Sequence, residues 1–505
     1  MIDSAAIPLT RRRLLAAAGI AAVGGVVTSC SRAATVAAGP AGALDGLAGQ
    51  VRGRVVRPGD PAFAELATPR NLRFAASVPE AVVMCADVND VAATVRWARD
   101  TATPFAIRGG GHNYAAGSSS RGILLSTRLM ARAVIDGTTL RAQAGVRNAD
   151  LANLLPQGGT GRLLLPGGNC PGVGIAGLTL GGGIGPNAPW AGLTADRLRR
   201  AIMVAADGRV VTASATENPD LFWALRGGAG GNFGVVTDLE YELVEIPVTR
   251  ATTALMTGRG RDAAVAVATA FGTVRTDNPR TATGTLALKH DSDDIAFRLR
   301  LQALAGEADT RDMLAPILRI SGVTAEITER PWWDAYAWYS TPPSPSYSFW
   351  DRSLYAEDFL SADAVAAALD VVRRFPAGDD PEREASMGLF GWVGGAVNEH
   401  APDATAYVHR KAQVLIEMSA GWATPKVPAS PATPLPPDIE DWEEELWETL
   451  LPHTNGHSYQ NFPDPGLENW ASSYYGDNLV RLTGIKATWD PDNVFAHPQS
   501  IPLPR

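Results

Sequence analysis

Lysine and cysteine are both scarce in this 505-residue chain, and positive charge does not dominate it. Only four lysines (Lys289, Lys411, Lys426 and Lys486) stand among 44 basic residues, against 53 acidic ones, giving a formal net charge of −9. That balance excludes a nucleic acid or an anionic membrane surface as a partner drawn in by bulk electrostatics. Cysteine occurs three times, as Cys30, Cys85 and Cys170. Three thiols are too few for a disulfide framework, so the fold must rest on a hydrophobic core and each thiol needs its own account. Beyond the first thirty residues no segment has the run of roughly 18 consecutive apolar residues that a transmembrane helix needs. No internal repeat is evident, which removes solenoids and propellers, and no metal site is expected.

What is present suits a globular body. Hydrophobic residues make up 46% and charged residues 19%, and the length calls for two or three packed domains. Residues 1–30 read as an address: Thr10-Arg11-Arg12-Arg13-Leu14-Leu15 is a twin-arginine pattern before a short apolar stretch. Val27-Thr28-Ser29-Cys30 then resembles a lipobox; the alternative is a simple signal peptide cut near Ala33-Ala34. Export is expected, with the mature body free or tethered through Cys30.

Residues 31–50, rich in Ala and Gly, read as a flexible linker. Residues 51–248 alternate short apolar runs with helical patterns, including Phe105-Ala-Ile-Arg and a helix after a cap at Asn89; Cys85 reads as a small buried residue on a strand. From 249 to 455 longer alternating runs, such as Ala296-Phe-Arg-Leu-Arg-Leu-Gln-Ala, predict an antiparallel sheet with helices on one side. Pro425 to Pro437 reads as a surface loop, and 456–505 as a segment that rejoins the first domain.

Two motifs carry chemistry. In Arg108-Gly109-Gly110-Gly111-His112, glycines after a strand permit positive φ and expose a row of N–H groups, a nest for a pyrophosphate; the alternative is a tight turn with a surface histidine. The second runs Gly167-Gly168-Asn169-Cys170-Pro171-Gly172-Val173-Gly174-Ile175-Ala176-Gly177. Its Gly172, Gly174 and Gly177 match the G-x-G-x-x-G of a Rossmann site, with Asp196 near the right distance beyond. That reading is rejected, because Gly181-Gly182-Gly183 would cost about 1 kcal/mol per glycine inside the required helix. Two glycine loops straddling a flat ring, with Cys170 at one edge, fit better. The thiolate rather than the thiol would be the nucleophile there.

These loops, with Leu221-Phe-Trp-Ala-Leu-Arg-Gly-Gly-Ala-Gly-Gly-Asn-Phe-Gly-Val-Val, Tyr459-Gln-Asn461 and Trp489-Asp-Pro-Asp-Asn-Val-Phe-Ala-His-Pro-Gln, resemble the berberine bridge enzyme-like family of the vanillyl-alcohol oxidase superfamily. The resemblance implies an α+β fold: a two-part FAD-binding domain of the vanillyl-alcohol oxidase (PCMH) type and a substrate domain whose antiparallel sheet is covered by helices. It implies FAD bonded through its 8α-methyl to His112 and through C6 to Cys170. Arg108, Gly109, Gly110, Gly111, Asn113 and Ser118 would serve the cofactor from the first loop. Gly167, Gly168, Val173, Gly174, Gly177, Gly182 and Gly185 would do so from the second. Gly234, Val235, Val236 and Asn461 complete the implied set. Tyr459 stands where the family places a base beside the ring, and Glu417 where some relatives carry a substrate-facing acid or amide; a solvated strand glutamate is the alternative. Ile184 replaces a tyrosine of several relatives, and Val173 is smaller than the leucine of some, a change the family associates with oxygen access. The implied activity is oxidation of an alcohol, a hemiacetal or an activated C–H in a small organic or oligosaccharide substrate, with Tyr459 or Glu417 taking the proton, oxygen as acceptor and hydrogen peroxide as product. A dehydrogenase feeding a quinone, and a ligand-binding surface lipoprotein, are the rival readings.

Overall fold

A computed structural model describes residues 41–292, 294–342, 345–422 and 434–504. The expected signal peptide, Cys30 and residues 31–40 of the expected linker lie outside the described residues, as does most of the proline-rich stretch before Pro437. The described residues form one compact unit.

Four strands open it: β1 (Arg54–Val56), β2 (Ala81–Met84), β3 (Phe105–Arg108) and β4 (Ile123–Ser126), in the order β1-β2-β4-β3. β2, β4 and β3 run parallel and β1 is antiparallel to β2. Buried on both faces, β2 (Ala-Val-Val-Met) and β4 (Ile-Leu-Leu-Ser) are almost wholly apolar, as a covered parallel sheet requires. Next come β5 (Ala133–Asp136), β6 (Thr139–Gln143), β7 (Leu163–Leu164), β8 (Leu198–Val204), β9 (Val210–Ser214), β10 (Val235–Glu242) and β11 (Val244–Glu245). They build a five-stranded antiparallel sheet, β5-β6-β10-β8-β9, and a small β11-β7 pair.

The last sheet has seven strands: β12 (Arg250–Arg259), β13 (Ala282–Asp291), β14 (Asp294–Ala303), β15 (Thr324–Pro331), β16 (Ser348–Ala356), β17 (Glu384–Phe390) and β18 (Val414–Trp422). Their order is β15-β12-β14-β13-β17-β18-β16, and every pairing is antiparallel. The helices Arg261–Asp277 and Ala362–Arg373 pack on β13 and β14. On β14, Ile295, Phe297, Leu299 and Leu301 are buried, while the alternating Arg298 and Arg300 stand on the opposite face. The proposed boundary at 248/249 falls between β11 and β12.

Several local expectations need correction. Part of the expected linker is the helix Ala41–Ala48, because Leu44 and Leu47, spaced i and i+3, dock on the core beneath β2 and β4. The cap of the helix Val88–Asp100 is Asp87, not Asn89: the Asp87 carboxylate accepts from the Asn89 and Asp90 N–H groups. Cys85 is fully buried, but just past the end of β2. The glycine-rich stretch does open a helix, Ile175–Leu180, after Gly174; it ends at Gly181. The dinucleotide reading still fails, for a reason the glycines did not give. The Asp196 carboxylate is occupied by Arg410, at 2.6 and 2.9 Å, and by the Leu193 N–H at 2.9 Å.

Candidate functional site

The two glycine loops touch backbone to backbone. A Cβ on Gly110 would stand 2.2 Å from Gly174 N and 2.6 Å from Gly172 O, and one on Gly174 would stand 2.5 Å from Gly110 N. Only glycine permits that approach. A Cβ on Gly172 would fall 2.4 Å from His112 Nε2. The imidazole therefore lies on the same short turn that carries Cys170, and both side chains line one cleft of about 910 Å³.

Most of the expected residues open onto it. From the first loop these are Gly109, Gly110, Gly111, Asn113 and Ser118. The second supplies Gly168, Val173, Gly174 and Gly177, and Gly234, Val236, Asn461, Tyr459 and Glu417 complete the wall. The Asn113 carboxamide shapes the turn by accepting from the Ala115 and Gly117 N–H groups at 3.0 and 3.1 Å.

Five expected contacts are not lining residues. Arg108 is buried, and its guanidinium donates to the carbonyls of Leu66, Ala67, Thr68 and Ser118, bracing the loop from behind. Gly167 and Gly185 pack against each other beneath the second loop; a Cβ on Gly185 would stand 1.8 Å from Gly167 O. Gly182, at φ +108°, turns toward the Tyr407 ring. Val235 is a core residue beside Val204 and Phe495. These glycines shape the loop without lining the cleft, a distinction that composition does not carry.

The electrostatics separate the two candidate nucleophiles. Burial, then the positive charges of Arg70 and Arg147, push the His112 imidazole down to about 4, so at neutral pH it is uncharged with a free lone pair. Burial pushes the Cys170 thiol up, more than Thr341 and Arg70 pull it down, so the resting group is a thiol rather than the expected thiolate. Its loop is fixed by Asn169, whose carboxamide donates to Thr341 Oγ1 at 2.9 Å and whose carbonyl accepts from Thr341 N at 3.1 Å.

Tyr459 is fully buried and its hydroxyl oxygen accepts three hydrogen bonds. The donors are the N–H groups of Gly183 (3.2 Å) and Ile184 (3.3 Å) and the Asn461 carboxamide (3.1 Å), which also donates to Leu178 O at 3.0 Å. Burial raises the hydroxyl above the ordinary tyrosine range, and the three donors pull it back part of the way. A neutral phenol offers two lone pairs and a phenolate three, so the donor set matches the ionised form. The substitution at Ile184 costs no donor, since its backbone supplies one.

Glu417, on β18, is half-buried in the cleft wall. It faces the cleft interior with protein around it, and burial, then the charge of Asp351, hold its carboxyl well above the usual range. Tyr114 donates to its Oε1 across 3.5 Å, and the Tyr114 ring stacks on Phe462 at 4.7 Å. A carboxyl held neutral can donate a hydrogen bond but is a poor base.

Sequence reasoning missed two polar atoms. Thr127 Oγ1 and His497 Nε2 line the cleft, are buried, and have no hydrogen-bond partner among the described residues. Thr127 follows β4, at the carboxyl end of parallel strands where ligands of such sheets bind, and that position was the available signal. With the glycine cradle and the volume of the cleft, these unpartnered atoms fit a dinucleotide carrying a flat ring.

Comparison with known proteins agrees. Residues 79–214 match the model of an FAD binding domain, and residues 458–502 match one described as berberine and berberine like. The class is thereby set: an FAD-linked oxidoreductase. An uncharacterised FAD-linked oxidoreductase of Bacillus subtilis (strain 168) is 30% identical over 466 residues, covering 90% of this chain and 97% of its own. The chitooligosaccharide oxidase of Gibberella zeae is 28% identical, covering 88% of this chain and 91% of its own. The solved glucooligosaccharide oxidase from Acremonium strictum, described with a 6-S-cysteinyl, 8α-N1-histidyl FAD, superposes with a TM-score of 0.78 at 26% identity, over 91% of this chain and 99% of that one. This chain belongs to the berberine bridge enzyme-like family of FAD-linked oxidases.

Proposed function

We propose that the protein oxidises an alcohol or hemiacetal carbon of a small organic or oligosaccharide substrate, with Tyr459 taking the hydroxyl proton. The observation that carries this is the Tyr459 oxygen, held by three donors in the cleft that His112 and Cys170 also line. Bound FAD supplies the two-electron acceptor for the donor carbon, with dioxygen as final acceptor and hydrogen peroxide as product. As the proton leaves the substrate, charge arrives on an oxygen whose donors are already in place, so little reorganisation is needed. Glu417, neutral, orients the substrate by donating a hydrogen bond. His112 and Cys170 are the two proposed tethers, by analogy with the doubly linked relative. Asn113, Ser118, Thr127 and His497 would hold polar parts of the cofactor. Export through the twin-arginine route suits a tethered cofactor, since one lost outside the cell could not readily be replaced.

The test is anaerobic mixing with a panel of oligosaccharides and alcohols. Bleaching of the flavin, followed by recovery and peroxide in air, is the expected result. Bleaching with recovery only on adding a quinone would make it a dehydrogenase. No bleaching with any member would favour a binding protein.

A further inference from the structure

The register of the seven-stranded sheet places four residues in one row: Arg298 on β14 opposite Ala287 on β13, then Gly388 on β17, then Glu417 on β18. Arg298 and Glu417 thus mark two ends of a floor three strand spacings, or ~14 Å, across. Between them the floor is low. Ala287 has a single methyl, and Gly388 has none; a Cβ there would stand 2.8 Å from the Phe390 ring, so that ring lies down over the glycine. Trp392 stands against it edge to face at 4.8 Å. The result is an apolar, partly aromatic bed with an acid at one end and a cation at the other.

Arg300 doubles that cation. It lies two residues along β14 on the same face, opposite Thr285. Its guanidinium stacks over Trp338 and Tyr339 at 4.8 and 5.0 Å and donates to Trp338 O, which fixes its plane. Arg298 is exposed to the cleft, and among the described residues it pairs with no carboxylate. Two carboxyls line the cleft: Glu417, already neutral, and Glu468, beside Leu467 on the C-terminal segment. In a chain with nine more negative than positive charges, two neighbouring arginines without a carboxylate partner stand out as a site for an anion.

We propose that Arg298 and Arg300 dock a carboxylate carried by the substrate, with the reacting carbon at the Glu417 end of the bed and the carboxylate at the other. The planar guanidinium fork matches a carboxylate geometrically, and the stacking of Arg300 lowers the entropy cost of using it. The inference rests on the oxidoreductase reading of the cleft and deepens it by naming the substrate class: acidic saccharides or carboxylated alcohols rather than neutral ones.

Two matched pairs of probes test it on the flavin-loaded protein: digalacturonate against galactobiose, and 4-(hydroxymethyl)benzoate against benzyl alcohol. Where a probe bleaches the flavin, the concentration dependence of the anaerobic reduction rate gives Kd; where it does not, calorimetric titration gives it. The acidic member of at least one pair should bind roughly 10- to 100-fold more tightly at low salt, as charge-assisted hydrogen bonds imply. The preference should shrink at high salt, and R298Q should bring the acid-to-neutral Kd ratio close to one. Preference in the saccharide pair alone identifies uronates, and in the benzyl pair alone small hydroxy acids. Equal Kd values within both pairs, or a ratio that R298Q leaves intact, would overturn the proposal. Tight acid binding without bleaching by any probe would sink the oxidase reading while leaving the anion site standing. Bleaching by neutral probes with no acid preference would do the reverse.

Discussion

Replacing Tyr459 with phenylalanine removes one oxygen and leaves three donors without their shared acceptor. Asn461 keeps Leu178 O, but the Gly183 and Ile184 N–H groups lose their side-chain partner inside a buried wall. Each orphaned donor costs about 1–3 kcal/mol, and a water admitted from the cleft recovers part, so about 2 kcal/mol of stability should go. The chemical loss should be larger: a positioned base contributes about 10²–10⁴-fold, or about 3–5 kcal/mol of barrier. Burial raises the Tyr459 hydroxyl, so its ionised form is a minority at neutral pH. Flavin reduction in the native protein should accordingly quicken as pH rises from neutral into the alkaline range, and in Y459F it should be slow and nearly flat. Anaerobic stopped-flow traces of flavin absorbance give the rate, and a melting curve gives the stability. A Y459F protein that reduces its flavin within about threefold of the native rate, with the same pH slope, would refute the argument.

Further outcomes follow from the same geometry. G110A, whose Cβ would meet Gly174 N at 2.2 Å, should force the two loops apart and yield protein without bound flavin, read from the absorbance spectrum of the purified chain. D196A leaves Arg410 buried beside no carboxylate and should cost about 3–5 kcal/mol in denaturant unfolding while sparing the flavin spectrum. Flavin-free protein should weaken in mild acid. The unfolded chain takes up a proton at His112 near pH 6.5 and the folded one only near 4, so stability present above 6.5 is lost as pH falls through that window, by about 2 kcal/mol at pH 5 from this group. H112Q should flatten that part of the curve. V173L puts an extra carbon into the cleft wall beside Gly174 and should slow reoxidation by air more than reduction by substrate.

Much of the fold was legible because its signals are local and periodic. The alternation in Ala296–Ala303 and the short apolar runs that make up most of β2 and β4 each report how many faces of a strand are covered. The two loops were legible because backbone-to-backbone approach admits only glycine, so geometry writes itself into composition. What composition does not tell is which glycine lines the cleft: Gly110 does, at its contact with the second loop, whereas Gly167, Gly182 and Gly185 pack away from it. The donors that hold Tyr459 were hidden for another reason, since two of the three are backbone groups from a segment far away in sequence. The Glu417 carboxyl is raised first by burial and then by the charge of Asp351, one strand across. Such pairing depends on register between strands distant in sequence, and no single motif encodes it.

The central claim concerns bonds, and a mass measurement reads bonds directly. Intact mass in denaturant should show the native protein, H112A and C170A each carrying one FAD, and the double variant none. Native protein that releases all its flavin on unfolding, or a double variant that still holds it, would contradict the account.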